Sequence, residues 1–163
     1  MRDFYRNLRR SNTIKKARPN ILFIVFDQMR ADALIGPLAD TIELPNFTQF
    51  KNESVSFLNH FSVTSPCGPA RASLLTGQYA MNHRSVRNGT PLAHDTSNLA
   101  TSLNSKGIEP LLYGYTDTSQ DPRIYDQGDP ILTSYEEVLN GFTEVQEMRF
   151  DTNKSWKNYL RGQ

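Results

Sequence analysis

Six consecutive apolar residues, Ile21-Leu-Phe-Ile-Val-Phe26, run without a break into Asp27. Such a run has no polar face, so it suits a strand covered on both sides rather than one with a face to water. Sheets buried on both faces belong to α/β folds, which place ligand sites at the carboxyl ends of their strands. Asp27 stands at that end and reads either as a site carboxylate or as the cap of the following turn. Leu44-Pro45-Asn46 reads as a helix start, with Phe47 and Phe50 on one face. Val55, Phe57 and Leu58 suggest a short strand. Beyond the break Pro66-Cys67-Gly68-Pro69, Ala70 to Thr76 reads as a helix that Gly77 is placed to end. Thr96 or Ser97 can cap a helix carrying Leu99 and Leu103 and closed by Gly107. Leu111-Leu112-Tyr113 reads as the next strand, and Ser134 to Leu139 as an amphipathic piece. This alternation predicts an α/β fold.

Composition removes several classes. Nine Phe, seven Tyr and one Trp in 163 residues are ample for a core, which argues against global disorder. A longest apolar run of six residues predicts no membrane span, and no apolar segment follows Met1 to act as a secretory signal. A single cysteine excludes an intramolecular disulfide and a cysteine-rich zinc site, and the cytoplasm is the expected compartment. The net charge of +1 conceals an asymmetry. Residues 1–18 hold seven Lys or Arg against Asp3 alone, and residues 109–151 hold ten Asp or Glu against Arg123 and Arg149. Residues 1–18 therefore read as a basic arm, separate from a body of residues 19–163. The arm could meet nucleic acid, anionic lipid or the chain's own acidic half, or be a solvated terminus. It contains no nucleic-acid motif, and no nucleic-acid partner is expected.

Cys67 falls at the mouth of the helix read from the following residues. Free N–H groups and the helix dipole there favour an anionic nucleophile or an anionic substrate group. Arg71, one turn on, carries a planar guanidinium suited to an oxyanion. A lone cysteine is otherwise a small buried hydrophobe. The flanking residues extend the signal. Cys67-Gly68-Pro69-Ala70-Arg71, continued by Ala72-Ser73-Leu74-Leu75-Thr76-Gly77, resembles the Cys-x-Pro-x-Arg signature of the sulfatase family, within the alkaline phosphatase superfamily. Arg18 to Gln28 resembles that family's first strand and first metal ligands, and Leu44-Pro45-Asn46-Phe47 through Val55-Ser56-Phe57 resembles its next conserved segment. Asp27-Gln28-Met29-Arg30-Ala31-Asp32, Met81-Asn82-His83-Arg84, Gly114-Tyr115-Thr116 and Asp121-Pro122-Arg123 look similar to the phosphonate monoester hydrolase branch. The resemblance covers roughly residues 18 to 125.

That resemblance implies the N-terminal portion of an alkaline-phosphatase-like α/β/α sandwich with a mostly parallel sheet. It implies hydrolysis of sulfate esters or of phosphate and phosphonate mono- and diesters. Cys67 matches the cysteine that a formylglycine-generating enzyme converts to formylglycine. One hydroxyl of the aldehyde hydrate attacks sulfur or phosphorus, and the other later expels the product. Pro69 and Arg71 match residues read by the modifying enzyme, and Arg71 also matches the arginine that orients the nucleophile. Asp27, Gln28 and the modified Cys67 match ligands of one divalent ion: manganese, zinc or calcium. Gln28 in place of a second aspartate shifts the balance from a calcium cage toward manganese or zinc. Asn88 matches an asparagine facing the substrate oxyanion and Tyr115 a tyrosine near the substrate. Asp117 departs from the threonine of the family pattern. His83 lies between Cys67 and Asn88 and reads as a structural histidine; His60 and His94 lack partners at ligand spacing.

No Asp-His or Asp-Asn pair follows Cys67, although the family takes its remaining metal ligands from such a pair. The chain is therefore expected to be truncated, with a missing C-terminal portion as a partner. The alternative to the hydrolase is an inactive remnant acting as a binding or structural fragment. A third reading is an interaction module working through the basic arm.

Overall fold

Helices carry most of the regular structure, and each begins where local chemistry allows it. The computed structural model describes residues 19–134, 136–149 and 153–162; the basic arm 1–18 lies outside them. The chain divides into two compact units, one ending at Leu58 and one beginning at Asn59.

The first unit holds α1 (Asp32–Ile35), a 3-10 turn (Pro37–Asp40) and α2 (Pro45–Asn52). α2 starts as expected, with Pro45 at a position whose N–H would have no helical partner. Phe47 packs against Phe26 with ring centroids 5.4 Å apart. The expected strand Ile21–Phe26 does not form: the segment joins no ladder, and Ile21 is 86% exposed. An apolar run supplies strand character, but a strand needs a partner backbone, and none pairs with this run among the described residues. Val55, Phe57 and Leu58 likewise remain outside any strand and exposed, for the same reason.

The second unit runs through α3 (Cys67–Thr76), α4 (Ala80–His83), α5 (Leu99–Asn104), β1 (Leu111–Gly114), a 3-10 turn (Pro130–Leu132), β2 (Thr143–Glu147) and α6 (Lys154–Arg161). β1 and β2 pair in parallel, with Leu111 opposite Thr143 and Gly114 opposite Glu147. The register shifts between Leu112 and Tyr113. The parallel pairing agrees with the α/β expectation, since parallel neighbours require a long crossover. Here the crossover, residues 115–142, contains no α-helix among its described residues and carries part of the site described below. Leu75, Leu92 and Leu139 form the core cluster, with Phe142 packed against it. Ala72 on α3 and Ala100 on α5 are fully buried, and side chains this small let the two helices approach.

Two local expectations are corrected and a third is refined. α3 starts at Cys67, not Ala70, because Pro69 sits in the first turn, where its missing N–H costs no helical bond. α5 is capped by Asn98, not Thr96 or Ser97. In the amphipathic piece expected at Ser134 to Leu139, the described residues carry no regular element beyond a single antiparallel bridge from Glu137 to Thr118, a refinement of that expectation.

Part of the acidic run is neutralised internally. Arg149 grips Glu144 with two bonds, Nη1 to Oε1 at 2.7 Å and Nη2 to Oε2 at 3.1 Å. It also reaches Glu137 at 3.5 Å, whose carboxyl burial pushes above the usual range. Asp121 accepts from the Arg123 guanidinium, from the Arg123 amide and from the His94 amide, which hold its carboxyl well below the usual range. No helix among the described residues is long and apolar enough to cross a membrane.

Candidate functional site

The first turn of α3 has no side-chain cap of its own, since Pro66 occupies the capping position. The orphan N–H groups of that turn must find acceptors elsewhere. Asn88, from the loop after α4, supplies one. Its Oδ1 accepts the Gly68 N–H at 2.9 Å, and its Nδ2 donates to Cys67 Sγ at 3.3 Å. One amide thus fixes both the backbone beside the cysteine and the sulfur itself. Space is tight at Gly68: a Cβ there would lie 3.0 Å from Asn88 Oδ1 and 3.4 Å from the Asp117 carbonyl oxygen, so a larger residue would press on the asparagine that holds Cys67. Three segments of the second unit therefore converge on Cys67 and Gly68.

Arg71 sits one turn further along α3. Its guanidinium carbon lies 4.8 Å from the centroid of the Tyr115 ring, and its Nε lies 4.0 Å from Asp117 Oδ2. The Arg71 and Asp117 side chains are 13% and 4% exposed, so the pair is shielded from water. Tyr115 and Asp117 reach Arg71 from the loop that leaves β1. That loop is held rigidly. Thr116 Oγ1 donates to the Glu137 carbonyl at 2.8 Å, accepts the Leu139 N–H at 2.7 Å, and lies 2.8 Å from Thr118 Oγ1. Asp117 itself takes a left-handed backbone, φ 58°, a conformation Asp and Asn tolerate better than most residues.

His83 backs the site without facing it. It is buried, and its Nε2 lies 2.9 Å from Ser73 Oγ on α3. Its Nδ1 accepts the Ser85 N–H at 3.1 Å, which leaves the ring proton on Nε2 to donate to Ser73. Burial holds its pKa below the ordinary value, so the ring stays neutral. Both nitrogens are spent on structure, in keeping with the structural reading of this histidine.

Cys67, Asn88, Arg71 and Tyr115 thus gather on one end of α3 as two contacting pairs. Asp27 and Gln28 belong to the first unit, where they form an exposed turn with Gln28 at φ 54°. Among the described residues, no group of three or more His, Cys, Asp and Glu is placed to hold a metal ion. Gly68, Thr116 and the pairing role of Asp117 were not read from the sequence. The Gly68 signal was present, as a small residue beside the cysteine. The Asp117 signal was visible only as a departure from pattern.

Comparison with known proteins follows this geometry. The family model described as Sulfatase matches residues 19–157, further than the resemblance read above. The multifunctional alkaline phosphatase superfamily protein PehA of Trinickia caryophylli is 42% identical over 133 residues, covering 78% of this chain and 26% of PehA. Among solved structures, the phosphonate monoester hydrolase SpPMH from Silicibacter pomeroyi superposes with a TM-score of 0.82 at 59% identity, over 89% of this chain and 29% of SpPMH. The phosphonate monoester hydrolase of Agrobacterium radiobacter gives 0.79 at 45% identity, with the same coverage of 89% and 29%. The chain spans little more than a quarter of the length of these relatives, 26% to 29%. The alkaline-phosphatase-like α/β fold expected from the sequence is the one these neighbours share with it.

Proposed function

The chain belongs to the sulfatase family, and on that premise we propose that it carries the nucleophile end of a hydrolase of sulfate esters or of phosphate and phosphonate esters. The observation that carries this reading is the first turn of α3, where Asn88 holds both Cys67 Sγ and the Gly68 amide. The family generally uses a metal ion and formylglycine. We read Cys67 as the residue converted, by a formylglycine-generating enzyme acting on Cys67-Gly68-Pro69-Ala70-Arg71. Position 67 suits that group. It is partly exposed, and the Asn88 N–H that meets sulfur can donate equally to an oxygen there. When formed, the hydrated aldehyde supplies a hydroxyl nucleophile for sulfur or phosphorus and a second hydroxyl whose proton loss frees the product oxyanion.

The chain's own residues then bind and orient. The positive end of α3 favours an anionic ester beside residue 67. Asn88 Nδ2 aims the oxygen of residue 67. Arg71 stands over Tyr115 and presents a fixed planar cation to the ester's oxygens. Tyr115 acts by holding that cation.

The metal does not fit the described residues as a complete site. Asp27 and Gln28 offer two oxygen donors, one of them charged, whereas a hard divalent ion takes six or more. No step is therefore derived through a metal, and manganese, zinc and calcium stay undivided. The alternative reading is a fold remnant that binds esters without turning them over.

Intact mass after co-production with a formylglycine-generating enzyme tests the reading. Conversion lowers the mass of the peptide bearing Cys67 by about 18 Da. Hydrolysis of aryl sulfate and aryl phosphonate esters, with manganese supplied, is the expected companion result. Conversion without hydrolysis selects the remnant, and an unconverted Cys67 overturns the nucleophile assignment.

A further inference from the structure

We propose that Asp117 sets the charge selectivity of the site: by pairing with Arg71 it offsets that cation and biases the site toward singly charged esters over doubly charged ones. This rests on the reading of the Cys67 end of α3 as an oxyanion site. Two contacts place Asp117 there. Its Oδ2 lies 4.0 Å from Arg71 Nε, and its carbonyl oxygen lies 3.4 Å from where a Cβ on Gly68 would stand. The residue therefore reaches both the arginine and the turn that presents Cys67.

The main chain that carries this carboxylate is tied down on both sides, and the side chain is 4% exposed. Thr116 and Thr118 on either side are tied to each other and to the Glu137 backbone, with Glu137 N donating to the Thr118 carbonyl at 3.2 Å. A fixed, shielded negative charge acts strongly at short range. It acts once on a monoanion and twice on a dianion. Steric effects of a substitution fall on both ligands alike when their shapes match, so the ratio of the two affinities isolates the charge. Arg71 without a counter-charge would reward the second negative charge of a dianion; Arg71 paired with Asp117 does not. Asp117 touches no reacting atom and acts through Arg71, as a specificity-determining residue.

The test uses the full chain and two probes of similar shape: phenylphosphonate, a dianion at alkaline pH, and its monoanionic methyl ester. Affinities are measured by calorimetry for the wild type, Asp117→Asn and Arg71→Gln. Asparagine accepts a left-handed backbone, so Asp117→Asn removes charge without adding strain. The dianion-to-monoanion affinity ratio is expected to rise about tenfold in Asp117→Asn, the scale of one nearby unit charge in a partly buried site. It is expected to fall in Arg71→Gln, which removes the cation and leaves the Asp117 charge in place. An unchanged ratio in Asp117→Asn, with both probes bound by the wild type, overturns the proposal and leaves the oxyanion reading standing. Binding of neither probe by the wild type overturns the oxyanion reading, and the proposal with it. Should Asp117→Asn fail to fold, the other two proteins decide. A wild type that prefers the dianion, or an Arg71→Gln ratio that does not fall, overturns it.

Discussion

Ser85 donates its amide hydrogen to His83 Nδ1, which keeps that nitrogen unprotonated, while Nε2–H donates to Ser73 Oγ and fixes the ring. Protonation would place a second N–H against the Ser85 amide. Burial is the main cause and holds the pKa below its ordinary value. The sign of the consequence follows from where the proton goes. Below about pH 6.5 the unfolded chain takes up a proton at this histidine that the folded chain refuses, so lowering the pH favours unfolding. Stability from this group is therefore full above pH 6.5, falls as pH drops toward the folded value, and then levels off. The slope cannot exceed about 1.4 kcal/mol per pH unit. Asp121 acts in the same direction, but in the more acidic carboxylate range. Denaturant unfolding between pH 7.5 and about pH 5 should show the loss, and His83→Gln should flatten it at some cost in baseline stability. An identical slope in the variant would assign the titration to another group. The sequence marked this residue as structural on frequency alone; the Ser85 and Ser73 partners, two and ten residues away, give the reason.

At the scale of elements, Asn98 shows both how much was legible and where legibility ended. A capping residue before Leu99 was expected from residue chemistry, and Thr96, Ser97 and Asn98 all qualify. The choice depends on something no local window contains. Asn98 Oδ1 accepts from the Ala100 and Thr101 amides at 2.8 and 3.1 Å, while Nδ2 donates to the Asn140 carbonyl at 3.0 Å. The Asn98 amide both caps α5 through its oxygen and tethers the turn at residue 140 through its nitrogen, and Asn98 is 2% exposed. The same logic explains α3, whose end at Gly77 was legible from the left-handed φ of 69° that glycine allows. Its start was misplaced because Pro69 was read as a breaker rather than as a first-turn residue. Two substitutions at Asn98 separate its two jobs. Asn98→Ala should cost about 2–3 kcal/mol, combining a lost cap with a buried carbonyl left without a donor. Asn98→Ser keeps a capping oxygen and loses the tether, so it should cost about 1 kcal/mol less than alanine. Chemical denaturation measures both, and equal losses in the two variants would show that the cap contributes nothing.

Across the whole molecule, the strongest fold signal in the sequence and its least regular segment are the same residues. Ile21–Phe26 has the composition of a buried strand, yet it stands outside any ladder among the described residues, and Val25 and Phe26 are 50% and 55% exposed. Strand propensity is a statement about fit to a pleated, covered surface, so it is silent when no neighbouring strand is present. The parallel pair β1 and β2, by contrast, forms because both partners lie within residues 111–147 and the Thr116 knot closes the crossover between them. The chain covers 29% of each of the two phosphonate monoester hydrolases compared above, and the β1–β2 pair is the sheet formed among its described residues. Amide hydrogen exchange makes this distinction measurable. Without ladder bonds, Leu22 to Phe26 should exchange within about tenfold of unstructured-peptide rates. The α3 amides from Arg71 to Thr76, bonded within the helix and beside the Leu75 cluster, should exchange more slowly by orders of magnitude. Protection of Leu22 to Phe26 that matches α3 at low protein concentration would show an intramolecular strand partner and overturn this account. Protection that appears only as concentration rises would identify pairing between exposed edges of separate copies, the outcome that an uncovered apolar strand segment invites.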